Sequence, residues 1–122
     1  MGHIFISYSR RDTEIVDYIV RKMEDAGINS WIDREDIKVG KTWRVQIVQA
    51  IDSCNAFVLM LSSNSAVSDN VRKEIDLAQG SGRPIFIMSL DAVKLPAEML
   101  YQLVGLQHID LQKSGVERGD IN

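Results

Sequence analysis

Cysteine occurs once in this chain of 122 residues, at Cys54, so no internal disulfide can form and no thiolate cluster can hold a metal. That usage fits a reducing compartment, and a cytoplasmic location is the expectation. The two histidines, His3 and His108, have no partner at metal-ligand spacing, so no metal site is expected. Long hydrophobic runs are missing too. No apolar stretch approaches the roughly 20 residues that cross a bilayer, and membrane contact by this domain is not expected. The opening Met1-Gly2-His3-Ile4-Phe5-Ile6 lacks the basic and apolar regions of a signal peptide. Nor is there an excess of positive charge: 14 Lys and Arg stand against 17 Asp and Glu, interspersed along the chain. Without a basic stripe to neutralise phosphates, nucleic acid is not an expected partner.

Several catalytic patterns are absent as well. No G-x-S-x-G elbow is present, and the serines near Ser62 have no nearby histidine to serve as base. No P-loop occurs, and no G-x-G-x-x-G follows the first predicted strand. A phosphoacceptor receiver needs acids after its first strand and an aspartate ending its third. Arg10-Arg11 and Ser62 occupy those places, which excludes its magnesium pocket.

What is present is a globular composition, 45% apolar and 25% charged, of a length suited to one hydrophobic core. Short apolar runs alternate with amphipathic segments. Strands are predicted at His3–Tyr8, Ile28–Ile32, Asn55–Leu61, Pro84–Met88 and Gln107–Leu111. Asp12–Ala26 has helical spacing through Ile15, Val16, Ile19, Val20 and Met23, with Gly27 as its stop. Thr42 can cap a second helix whose buried side is Ile47, Val48 and Ile51; Asp69–Gln79 is a third helix and Pro96–Val104 a short fourth. This rhythm predicts an α/β fold: a flavodoxin-like, doubly wound, five-stranded parallel sheet of order 2-1-3-4-5 with helices on both faces. Residues 1–111 are expected to form the single domain, and 112–122 a frayed or truncated tail. No repeat or low-complexity linker interrupts it.

In that order the topological switch point lies between the first and third strands. Ser7–Arg11 and Ser62–Ser68 meet there, and the helix carrying Glu74 follows directly. Glu74 falls amid the apolar arc of Val71, Ile75, Leu77 and Ala78. A carboxylate on such a stripe costs free energy unless paired or protonated, so it is a functional group, half of a structural ion pair, or a glutamate at the stripe's rim. Arg10 and Arg11 can clamp a diphosphate and Tyr8 can stack on a flat ring. Equally, one arginine can be merely solvated while the other pairs with Asp12 or a loop acid. Trp31 reads as core. Trp43 suits either a ligand or a partner surface. The stretch containing Asp33, Asp36, Gly40 and Lys41 can be a solvated connection, a lid or an interaction hook.

The run Ile4-Phe5-Ile6-Ser7-Tyr8-Ser9-Arg10-Arg11-Asp12 resembles the first signature box of TIR (Toll/interleukin receptor) domains. Ala26-Gly27-Ile28, then Trp31-Ile32-Asp33, then Gly40 and Trp43, are similar to the family's second strand, BB loop and following helix. Phe57–Ser62 looks like the third strand, Ser68–Ile75 like the helix bearing the family's glutamate, and Pro84-Ile85 and Leu106–Leu111 like the last strands. The resemblance runs over nearly the whole chain in order, and its pattern is nearer to bacterial members than to animal receptors. It implies an NAD+ glycohydrolase or cyclase that consumes NAD+ as substrate and needs no resident cofactor, in bacterial anti-phage immune signalling. Glu74 is then the catalytic carboxylate, with Ser7, Tyr8, Arg10, Arg11, Trp43 and Asn70 binding NAD+. Asn70 stands where family members often carry a tryptophan. Self-association with other TIR domains is implied through Asp33, Asp36, Gly40 and Lys41. The alternative is a non-catalytic scaffold or adaptor that binds other TIR domains through that same loop.

Overall fold

The computed structural model describes residues 2–32, 42–92 and 95–110. Within these residues, five parallel strands form one sheet: β1 (Ile4–Ser7), β2 (Ser30–Ile32), β3 (Ala56–Leu61), β4 (Ile85–Ser89) and β5 (Gln107–Asp110). Their spatial order is β2-β1-β3-β4-β5, the doubly wound order read from the sequence. Among the described residues, four α-helices connect them: α1 (Thr13–Asp25), α2 (Thr42–Asp52), α3 (Asp69–Gly80) and α4 (Ala97–Leu103). The expected loop residues Asp33, Asp36, Gly40 and Lys41 lie outside the described residues, as do the side chain of Trp43 and the 112–122 tail.

Helices cover both faces because the strands are apolar on both sides. Ile6 and Met60 pack with Val16, Ile19 and Val20 of α1. On the opposite face Phe5, Phe57, Leu59 and Ile87 pack with residues of α2, α3 and α4. Each of these large side chains removed from water contributes roughly 1.5–3 kcal/mol. A row of rings crosses three strands on this second face: Trp31 stacks on Phe5 at 5.1 Å and Phe5 on Phe57 at 5.4 Å. These residues are register partners, Phe5 facing Trp31 on one side and Phe57 on the other. Trp31, expected as core, is partly buried and packs against the edge of this cluster.

One stripe recurs in the first three helices. Val16, Ile19 and Val20 of α1 are buried; Ile47, Ala50 and Ile51 of α2 are buried; so are Val71, Glu74 and Ile75 of α3. The spacing i, i+3, i+4 is the same each time, so Glu74 occupies the slot that Ile19 and Ala50 fill in the other two. This stripe corrects one expectation. Val48, expected on the buried side of α2, is 46% exposed. It lies about 100° from the stripe, and Ile47, Ala50 and Ile51 are buried instead.

The ends of the elements are set locally. Gly27, at φ 84, closes α1: its N–H donates to Glu24 O at 2.9 Å, and Ile28 N–H donates to Met23 O at 2.9 Å. That pair is a Schellman stop, and glycine supplies the left-handed backbone without a Cβ penalty. Ser68 caps α3, its hydroxyl accepting from Val71 N–H at 3.2 Å. The segment Ser62–Ser68, expected to be plain loop, contains one 3₁₀ turn at Ser65–Val67, and another at Arg10–Asp12 precedes α1.

Candidate functional site

Strand periodicity places the first functional side chain. Phe5 faces α2 and α3, Ile6 faces α1, and Ser7 therefore turns back toward α3. Its hydroxyl donates to Glu74 Oε1 at 2.7 Å. Ser7 is 1% exposed and Glu74 7%. A hydroxyl and a carboxylate, each costly in an apolar core, satisfy one another here. The spacing of α3 singled out Glu74, but nothing in the sequence paired it with Ser7.

Glu74 lines two hollows. The first, about 250 Å³, is walled by Tyr8, Arg10 and Arg11 from the segment after β1, and by Ser68 and Asn70 from the start of α3. The second, about 330 Å³, lies between α2 and α3, with Arg44 and Lys73 as its cations and Ile47, Val48 and Leu77 as its apolar walls. Asn70 and Glu74 belong to both. Tyr8, Arg10, Arg11, Asn70 and Glu74, expected at one site, line the first hollow together. Arg44 and Lys73 of the second hollow were not expected. Val48 and Leu77 carried the one available signal, apolar side chains standing off their helices' buried stripes.

The crevice between β1 and β3 is itself bridged. Both carboxylate oxygens of Asp12 accept hydrogen bonds, one from the Ser62 hydroxyl and the other from Asn64 Nδ2 at 2.8 Å. The Ser62 oxygen in turn accepts from the backbone N–H of Asn64 at 3.1 Å and of Ser65 at 3.0 Å. The 3₁₀ turn carrying Arg10 and Arg11 is thus stapled to the segment after β3. Asp12 engages these two donors rather than an arginine, because α1 begins over the end of β3. The Ser/Asn-rich run was a turn signal, and its partner could not be inferred from spacing.

Elsewhere, His3 Nε2 lies 2.8 Å from the Ala50 carbonyl oxygen. Burial pushes the Cys54 thiol above its ordinary value, with the Arg83 guanidinium opposing the shift. Cys54 precedes β3, at the end of the sheet opposite Ser7 and Ser62, so it takes no part in this site. Among the described residues, no helix is long and apolar enough to cross a membrane.

The fold and site define a class: a doubly wound α/β domain with one buried carboxylate between two cation-flanked hollows. The chain belongs to the TIR-domain family, whose model matches residues 4–120. Its structure is similar to the TIR domain of the Toll-related receptor TRR-2 from Hydra magnipapillata, at 20% identity and TM-score 0.79, covering 96% of this chain and 90% of that one. It is also similar to the TIR domains of the activated Roq1 resistosome, at 20% identity and TM-score 0.61, over 75% of this chain and 60% of that one. A third likeness is the CMP N-glycosidase BcmB of Clostridium botulinum, at 16% identity and TM-score 0.63, covering 99% of this chain and 100% of that one. No curated protein matches the sequence.

Proposed function

We propose that this TIR domain cleaves the nicotinamide–ribose bond of NAD+, as a glycohydrolase or cyclase, in bacterial immune signalling in the cytoplasm. One observation carries the reading: a buried carboxylate, Glu74, lines both hollows, with Arg10 and Arg11 on one side. Two guanidinium groups suit the diphosphate of a dinucleotide, and Tyr8 offers a face for a flat ring. Tyr8, Arg10, Arg11 and Asn70 are then substrate contacts, with Trp43 added on the resemblance alone. The similarity to a CMP N-glycosidase supports the same bond class, a base joined to ribose.

The chemistry needs little beyond one carboxylate. As the C1′–N bond breaks, its electron pair passes to the pyridinium nitrogen and neutralises it, so nicotinamide leaves without a general acid. The ribose is left with oxocarbenium character, which the Glu74 carboxylate stabilises electrostatically. Water, or another nucleophile of the substrate, captures C1′ and releases a proton. NAD+ is consumed and no resident cofactor or metal is required.

A second reading, a homotypic scaffold, is favoured by the likeness to TIR domains that belong to an assembled resistosome. The two readings are compatible if self-association completes the site. The test is nicotinamide release from NAD+ by concentrated protein, beside Glu74→Gln. Release by wild type and its loss in the variant support the enzyme; TIR–TIR binding with no NAD+ loss at any concentration leaves the scaffold.

A further inference from the structure

We infer that Ser7, which the sequence reading counted among the NAD+ contacts, is instead the positioning residue of Glu74. The inference rests on the proposed cleavage of NAD+ and assigns Ser7 a role within it.

Ser7 is 1% exposed and absent from the walls of both hollows, so substrate in either one does not reach it. Its single hydroxyl proton is donated to Glu74 Oε1 at 2.7 Å. The strand register makes the pairing informative. Ser7 lies beside Leu59 of β3, which is fully buried on the same face. A leucine or valine at position 7 would serve the core equally well, and a hydroxyl there is useful only for the acceptor above it. The same holds for Glu74, in the slot that Ile19 and Ala50 fill in α1 and α2. Each residue explains the other.

A hydrogen bond from rigid β1 fixes the carboxylate's rotamer before substrate arrives. It also favours the ionised form that an oxocarbenium centre needs. Other charged and titratable groups lining the same hollows are Tyr8, Arg10 and Arg11 from the β1–α1 segment, Arg44 from α2 and Lys73 from α3. They remain when Ser7 is changed, so the variant isolates the contribution of the hydroxyl.

The experiment compares wild type, Ser7→Ala, Ser7→Thr and Ser7→Cys in steady-state nicotinamide release. Cooperative thermal melts confirm folding, and Ser7→Cys replaces Ser7→Ala if the latter does not fold. The expected result for Ser7→Ala is a kcat lower by about ten- to a hundredfold, the effect of one hydrogen bond to a charged group, with KM within about twofold. The acid limb of the kcat profile moves to higher pH, and Ser7→Thr recovers most of the rate. A raised KM at constant kcat would make Ser7 a substrate contact and overturn the inference. A second readout needs no turnover: the Glu74 carboxyl carbon, labelled with ¹³C and identified with Glu74→Gln, is titrated by NMR. It should titrate at higher pH in Ser7→Ala, and coincident curves overturn the coupling. Wild type that releases no nicotinamide while the curves still separate would instead defeat the proposed function.

Discussion

The Ser7 hydroxyl donates to Glu74 Oε1 at 2.7 Å, tying the last residue of β1 to the middle of α3 inside the apolar layer. That bond joins two elements separated by two strands and two α-helices in sequence, and it fixes the only buried carboxylate among the described residues at the junction of two hollows. Glu74→Gln retains the volume and can still accept from Ser7, so the fold should survive. Loss of the negative charge should lower kcat for nicotinamide release by at least about a hundredfold, the scale of removing one electrostatic stabiliser of a transition state. Thermal melts alongside the assay separate this from unfolding. A folded variant with wild-type turnover would sink the assignment of Glu74.

Arg10 and Arg11 are exposed and line the first hollow. Binding the diphosphate in ground and transition state alike raises affinity without changing the chemical step. Arg10→Ala and Arg11→Ala should therefore raise KM for NAD+ several-fold, with kcat nearly constant, and the penalty should shrink as salt is added. Lysine at either position should restore charge but not a two-pronged grip. Initial rates across substrate and salt concentrations check both statements.

Asp12 illustrates what spacing cannot show. The helical stripe, the order of the strands and the Gly27 stop all rest on local periodicity or turn chemistry, and were legible residue by residue. Glu74 was legible for the same reason, as a charge in an apolar slot. Its bond to Ser7, the Asp12 link to Ser62 and Asn64, and the second hollow's Arg44 and Lys73 arise where separate elements pack. Nothing in a stretch of single sequence encodes those distances. Val48 was misplaced because an apolar residue flanking a stripe looks, in sequence, like part of it.

The staple itself makes a prediction. Asp12→Ala strands the Ser62 hydroxyl and the Asn64 amide at a part-buried junction. The expected loss is about 1–3 kcal/mol of unfolding free energy, read from urea denaturation with an unchanged slope. Because the turn holding Arg10 and Arg11 is anchored there, KM for NAD+ should rise as well. Asp12→Asn, which can still accept at one oxygen, should fall between the two.

Cys54 gives the molecule a pH signature unrelated to catalysis. Burial raises its thiol above the ordinary 9.0, so the folded state keeps its proton to higher pH than the unfolded chain does. As pH rises past that ordinary value the unfolded thiol ionises first. Its contribution is thus fully present below that point and is lost as pH climbs through the raised folded value. Denaturation curves across alkaline pH should decline less steeply for Cys54→Ala than for wild type. Disulfide reagents should modify native protein far more slowly than urea-unfolded protein.

Asn70 is exposed, lies one helical turn before Glu74 and lines both hollows, where family members often carry tryptophan. An indole there would add an aromatic wall beside the carboxylate without entering the core, so Asn70→Trp should fold as wild type does. If a flat base must lie against this wall, the ring should lower KM for NAD+ by roughly two- to tenfold, the range of one aromatic contact. Asn70→Ala, removing the amide without supplying a ring, should not lower it. The measurement is KM for the three proteins under one self-associating condition. An Asn70→Trp variant with raised KM and unchanged kcat would mean that the amide grips the substrate and that the hollows need this wall narrow.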